Sequence, residues 1–208
     1  MMKRLLCACA LLVLVSAQSA SAAVDVVKHA KDIARVESFL SLLTTIKADF
    51  EQVAPSGETA SGTFYLQRPG KMRWEYNPPS PILLVSNGKT ITYYDAEMDQ
   101  INYISLDETL AGFLANESLK LNTDATELVG FEVSPGAVRA TIRQRENPEN
   151  GTLTIEFTDK PLVMKQLIIT DAGGNETRIA LSGAEYGKKL DRSLFIFKDP
   201  RGVIRRKR

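Results

Sequence analysis

The chain has 208 residues, of which 26 are Lys or Arg, 25 are Asp or Glu and one is His. A formal net charge of +1 gives no global attraction to nucleic acid or to an anionic membrane. Its two cysteines, Cys7 and Cys9, both lie near the start, so the rest of the chain has no disulfide, thiol chemistry or cysteine-containing metal site.

Residues 1–22 read as a cleaved signal peptide. Lys3 and Arg4 form a basic start, Leu5 to Val15 is an apolar run, and Ala20-Ser21-Ala22 supplies the small residues a signal peptidase needs before Ala23. The run is too short to span about 30 Å of hydrocarbon comfortably. Cys7 comes before most of the apolar stretch, too early to be a lipid-modified cysteine. Residues 23–208 are then expected as one exported domain held together by burial alone. Loss of Lys3 and Arg4 leaves it 24 basic against 25 acidic residues.

From 25 to about 42 the pattern is helical, with Val27, Ala30, Ile33 and Ala34 on one stripe. Glu37 stands where that stripe calls for an apolar residue. The period then becomes two. Ile46, Ala48 and Phe50 alternate with Lys47, Asp49 and Glu51, predicting a strand with one dry face. A polar loop follows, then Gly62, Phe64, Leu66 and Arg68 on one face against Ser61, Thr63, Tyr65 and Gln67 on the other. After Pro69-Gly70 the alternation resumes with Met72, Trp74 and Tyr76, until "NPPSP" breaks it. "PILLVSNGKTITYYD" predicts a hairpin turning at Asn87-Gly88, which would set Leu84 opposite Ile91 and Ile82 opposite Tyr93. "QINYISL" is a further strand. Leu110, Phe113 and Leu114 at i, i+3, i+4 predict a short helix within 107–119, N-capped by Asp107. Strands are expected at 128–133, 137–145, 152–158, 162–171, 175–183 and 194–198, with turns at Pro135-Gly136, Asn150-Gly151 and Gly173-Gly174. About eleven strands with two or more helices make the chain mainly β (α+β), a curled antiparallel sheet with helices over its concave side.

The sequence offers little for catalysis. A Ser-His-Asp arrangement would have to use His29, on the first helix. Zinc held by clustered His or Cys is excluded, and no Gly-rich phosphate loop occurs. "DAEMDQ" at 95–100 lacks the glycine and terminal glutamate of a calcium loop and reads as a β-turn. Paired carboxylates, as in a carbohydrate hydrolase, have no local mark. The basic "RRKR" at 205–208 suits a solvated tail or a contact with acidic lipid or a partner. The inward apolar residues suit either an ordinary core or a ligand cavity, which composition does not separate. Arg68 bears on that choice. A guanidinium stays charged, so at the end of a dry strand face it must either lean into solvent or donate to the backbone carbonyls of a covering helix or loop.

Several segments, taken in order, resemble the LolA family of periplasmic outer-membrane lipoprotein carriers. They are Phe50–Gln52, "GTFYLQRP" at 62–69, "MRWEY" at 72–76, "VSNGK" at 85–89, Tyr94-Asp95, Gln100-Ile101, "LDETLAGFL" at 106–114 and "FIFKDPRGV" at 195–203. The likeness runs through nearly the whole exported chain and is most specific around Arg68-Pro69. Met72, Asn87, Thr92 and Leu110 replace the usual Phe, Asp, Trp and Pro. The resemblance implies an unclosed antiparallel β-barrel lidded by helices over an apolar cavity, in a monomeric protein that is neither an enzyme nor cofactor-dependent. It implies a cavity lined by Phe64, Leu66, Met72, Trp74, Ile82, Leu84, Ile91 and Tyr93, a lid carrying Leu110, Phe113 and Leu114, and a latch at Arg68. The expected partners are triacylated lipoproteins as cargo, a LolCDE-type inner-membrane ABC transporter and a LolB-type outer-membrane receptor. A lipid- or lipoprotein-sensing regulatory module on the same half-barrel is the alternative.

Overall fold

A computed structural model describes residues 24–117 and 119–201. The expected cleavage site and the basic segment 205–208 lie outside these residues. The first element is α1, Val26–Leu42, opened by the Asp25 carboxylate accepting from the Lys28 N–H. Its stripe buries Val36 and Leu40 completely.

Eleven strands follow. They are β1 Thr45–Val53, β2 Thr59–Gln67, β3 Lys71–Tyr76, β4 Ile82–Asn87, β5 Thr90–Asp95, β6 Gln100–Ser105, β7 Thr126–Ser134, β8 Ala137–Gln144, β9 Thr152–Thr158, β10 Val163–Thr170 and β11 Glu176–Tyr186. Between β6 and β7 the chain makes a 3-10 turn, Leu106–Glu108, and the short helix α2, Leu110–Ala115. All the strands join one sheet in the order β6-β5-β4-β3-β2-β1-β11-β10-β9-β8-β7. Every pairing is antiparallel. β6 and β7 do not pair with each other, so the sheet is not closed into a barrel. The segment carrying α2 joins those two free edges. Register shifts in the β1/β11, β9/β10 and β7/β8 pairs add local bend and twist.

One face of the sheet is dry across most of its strands, while the edge strand β6 is largely exposed. Phe64 and Leu66 of β2, Ile142 of β8 and Phe157 of β9 belong to one buried cluster with Val36 and Leu40 of α1 and Phe113 and Leu114 of α2. Strands this far apart in the order can share a core because the sheet curls around the helices. Each such side chain contributes about 1.5–3 kcal/mol on leaving water.

Three expectations need correction. The β4–β5 hairpin turns at Gly88-Lys89, with Leu84 opposite Tyr93 and Ile82 opposite Asp95. Gly88 alone takes a positive φ, 121°, and the Asn87 side chain instead accepts from the Lys89 and Thr90 N–H groups. Because the slip is two residues, each side chain keeps its face. The N-cap of α2 is Thr109, whose hydroxyl accepts from the Gly112 N–H at 3.1 Å, while Asp107 lies inside the preceding 3-10 turn. The predicted strand at 194–198 is not a strand. Residues Arg192–Phe195 form a 3-10 turn over the outer face of β3 and β4, burying Phe195. β3 and β4 already have neighbours on both sides, so Phe195 is buried on the sheet's face and not in its ladder.

Candidate functional site

The site is built on the β2–β3 hairpin. Phe64 faces Trp74 across the ladder and Leu66 faces Met72. The Phe64 and Trp74 rings stack with centroids 4.1 Å apart, and Phe50 of β1 meets Trp74 edge-on at 5.1 Å. Phe50 also meets Tyr76, whose hydroxyl donates to Gln52 Oε1 at 2.8 Å. Gly62 makes this close packing possible. A Cβ there would lie 2.1 Å from the Glu75 carbonyl oxygen and 2.7 Å from the Phe50 ring.

Phe64, Leu66, Met72 and Ile91 are buried in the common cluster together with Leu110, Phe113 and Leu114 of α2. Trp74 and Leu84 are half-buried and packed against it. Ile82 and Tyr93 are half-buried on the same sheet face but do not belong to that cluster. Ile82 instead borders an open groove of about 940 Å³ with Tyr76, Asp95 and the 77–81 loop, at the opposite end of β2 from Arg68. Burial pushes the Tyr76 and Tyr93 phenols above their ordinary range, helped at Tyr93 by the nearby Asp95 charge.

Arg68 follows the last residue of β2. Its Nη2 donates to the Leu40 carbonyl at 2.7 Å and to the Ser41 carbonyl at 3.3 Å, in the final turn of α1. The Leu40 carbonyl also accepts from the N–H of the C-cap residue Leu43 at 3.2 Å, and Arg68 adds a charged donor at this helix end. Its own backbone N–H donates to the Thr44 carbonyl. The guanidinium is only half satisfied: Nε and Nη1 are buried and have no hydrogen-bond partner among the described residues. Burial also lowers the pKa of this group. Of the two readings left open by the sequence, the side chain takes the one facing a covering helix.

The family model described as outer membrane lipoprotein carrier protein LolA matches residues 41–198. The chain belongs to the LolA family. Two relatives named outer-membrane lipoprotein carrier protein are each 32% identical to it. The one from Nitrosospira multiformis aligns over 84% of this chain and 88% of its own, and the one from Chromobacterium violaceum over 84% and 87%. A crystal structure of an uncharacterized conserved protein from Thermus thermophilus shares the fold with a TM-score of 0.50 at 13% identity, covering 82% of this chain and 95% of that one.

Within this LolA-family chain, the Pro69-Gly70 turn also contacts α2. The Gly70 N–H donates to the Ala115 carbonyl, the last residue of that helix, at 2.8 Å. Gly70 adopts φ 76°, and a Cβ on it would meet the Gly88 backbone at 2.5 Å. Residues 68–70 therefore touch both covers, Arg68 through its side chain and Gly70 through its backbone. From below, Gln144 Nε2 donates to the Asp107 carbonyl at 2.8 Å, and Asn150 Nδ2 to the Glu108 carbonyl at 3.1 Å. α1 is fixed at mid-length by Arg35, which donates to the Asp159 carboxylate at 2.7 Å and to its carbonyl at 2.9 Å. That pairing holds the Asp159 carboxyl below the usual carboxylate range.

Sequence reasoning missed Gly70, Arg35, Gln144 and Asn150. Each acts on backbone carbonyls or a carboxylate more than thirty residues away, and local pattern carries no signal for that. His29 lies against the Phe131 ring at 5.4 Å. Among the described residues no cluster of His, Cys, Asp and Glu could hold a metal ion, and no helix is long and apolar enough to cross a membrane.

Proposed function

We propose that this protein is a periplasmic carrier, not an enzyme, that takes the acyl chains of lipoproteins between its half-barrel and its helical covers. In this reading a LolCDE-type ABC transporter at the inner membrane loads it and a LolB-type receptor at the outer membrane unloads it. Membership of the LolA family and the names of its relatives support the cargo class. The observation that carries the mechanism is the Arg68 contact with the end of α1, set over a contiguous apolar cluster.

The chemistry suits reversible carriage. Three acyl chains hold tens of CH₂ groups, each worth about 0.8 kcal/mol on leaving water, which would make unloading very slow if nothing opposed it. A closed empty state supplies that opposition. With the covers down, the apolar residues bury one another and Arg68 holds α1, so loading must first disrupt these contacts. The contact is also weak enough to break, because two buried guanidinium nitrogens have no partner among the described residues. Met72 gives the lining a deformable member that adapts to chains of different shape. ATP is handled by the transporter, and the carrier's own residues only bind, cover and release.

The test is loading. Purified protein added to spheroplasts should release newly made triacylated lipoprotein into the soluble fraction as a stoichiometric complex. Lipoprotein that stays with the inner membrane would refute the carrier reading.

A further inference from the structure

Glu37 occupies a position on α1 where the helical stripe calls for an apolar residue, and the structure gives it a specific task. Its Oε1 accepts from the Leu121 backbone N–H at 3.0 Å, and its Oε2 accepts from Lys120 Nζ at 3.3 Å. Leu121 is fully buried, with Leu119 almost so. Its N–H therefore needs a protein acceptor, and a leucine at position 37 would leave it without one. Among the described residues, the hydrogen bonds and ion pairs joining α1 to residues 106–125 all run through this one carboxylate.

We propose that Glu37 couples the two covers, so that release of α1 from Arg68 also frees α2 and the segment Leu119–Leu121 that follows it. The inference rests on reading α1 and α2 as covers of one apolar cluster. Arg68 holds the last turn of α1, one turn beyond Glu37. When that turn lifts, the carboxylate moves with it and Leu121 is left without its acceptor. The covered segment must then either follow α1 or leave a buried N–H unpaired. A half-open state, with α1 raised and α2 down, is disfavoured for that reason. Coupling of this kind lets a single contact at Arg68 govern the whole lid.

The purely structural alternative is that Glu37 satisfies Leu121 and transmits nothing. Amide hydrogen exchange on the cargo-free protein separates the two. With Glu37 present, Arg68→Leu should speed exchange by the same factor in the last two turns of α1 and at Leu119–Leu121. With Glu37→Leu, the Leu119–Leu121 rate should no longer respond to Arg68→Leu, while α1 still does. Glu37→Gln keeps an oxygen acceptor for the Leu121 N–H and should restore the joint response. The proposal is overturned if Leu119–Leu121 responds to Arg68→Leu equally with and without that acceptor. It is also overturned if the segment does not respond in the wild-type background, or if neither segment does. Because no lipoprotein is present, these outcomes are independent of the loading test of the carrier reading.

Discussion

Replacing Arg68 with leucine should make the carrier hold acyl ligands more tightly. The substitution removes a charge-assisted hydrogen bond of 2.7 Å to the Leu40 carbonyl, with a longer one of 3.3 Å to Ser41. A hydrogen bond to a charged group contributes about 1.5–3 kcal/mol, and partial solvent exposure of this side chain favours the lower end. Part of that is offset, since two buried nitrogens with no partner among the described residues disappear with it. A net weakening of the closed empty state by about 1–1.4 kcal/mol follows, which corresponds to a five- to tenfold shift toward the open form. Displacement of a fluorescent fatty acid would show it as a Kd lower by that factor. Transfer of bound lipoprotein to receptor-bearing vesicles should slow in parallel, and the urea midpoint of the cargo-free protein should fall by no more than a loss of about 1–1.4 kcal/mol implies. Unchanged or weaker fatty-acid binding by a folded variant would refute the reasoning.

Gly62→Ala should cost about 3 kcal/mol in urea unfolding, since its Cβ would meet the Glu75 carbonyl at 2.1 Å with no flexible neighbour to yield; a loss under about 0.5 kcal/mol would show that the hairpin can shift. Leu84→Glu should weaken fatty-acid binding by at least about tenfold, because an ionised carboxylate on that face must stay hydrated, and unchanged affinity would place Leu84 outside the ligand's path. The Arg35 contact depresses the Asp159 pKa, so its stabilisation is complete above the ordinary aspartate value of about 3.9 and is lost as pH falls through the lower folded value. Urea midpoints measured between pH 2 and 6 should therefore fall more steeply for the wild type than for Asp159→Asn, and parallel curves would remove the pair from the account.

The strands were readable because alternation is a local signal and the chain keeps it strictly. Phe64, Leu66 and Met72 lie on the buried face that their spacing indicates. Features fixed by the details of a turn or by distant parts of the chain were less legible. The β4–β5 register depends on whether Asn87 or Gly88 takes the left-handed position, and the Asn87 side chain bonds forward to Lys89 and Thr90. The start of α2 depends on a 3-10 turn packed so closely that a Cβ at Gly112 would lie 2.3 Å from the Leu106 carbonyl. Residues 194–198 alternate like a strand but begin in a 3-10 turn that packs over β3 and β4, which are already paired on both sides, and only the full strand order reveals that. At the site, a charge on a dry strand face and a carboxylate on a helix stripe both stood out in the sequence. Their acceptor and donor, Leu40 and Leu121, are backbone groups 28 and 84 residues away, which spacing alone does not identify.

The central claim is that acyl chains of lipoproteins occupy the apolar interior beneath α1 and α2. Native mass spectrometry of the protein purified from a periplasm tests it most directly. The account predicts a 1:1 complex with triacylated lipoprotein that survives gentle extraction, and its disappearance when Leu84 is replaced by glutamate. Protein that emerges only in the free form, or a lipoprotein signal unaffected by that substitution, would contradict it.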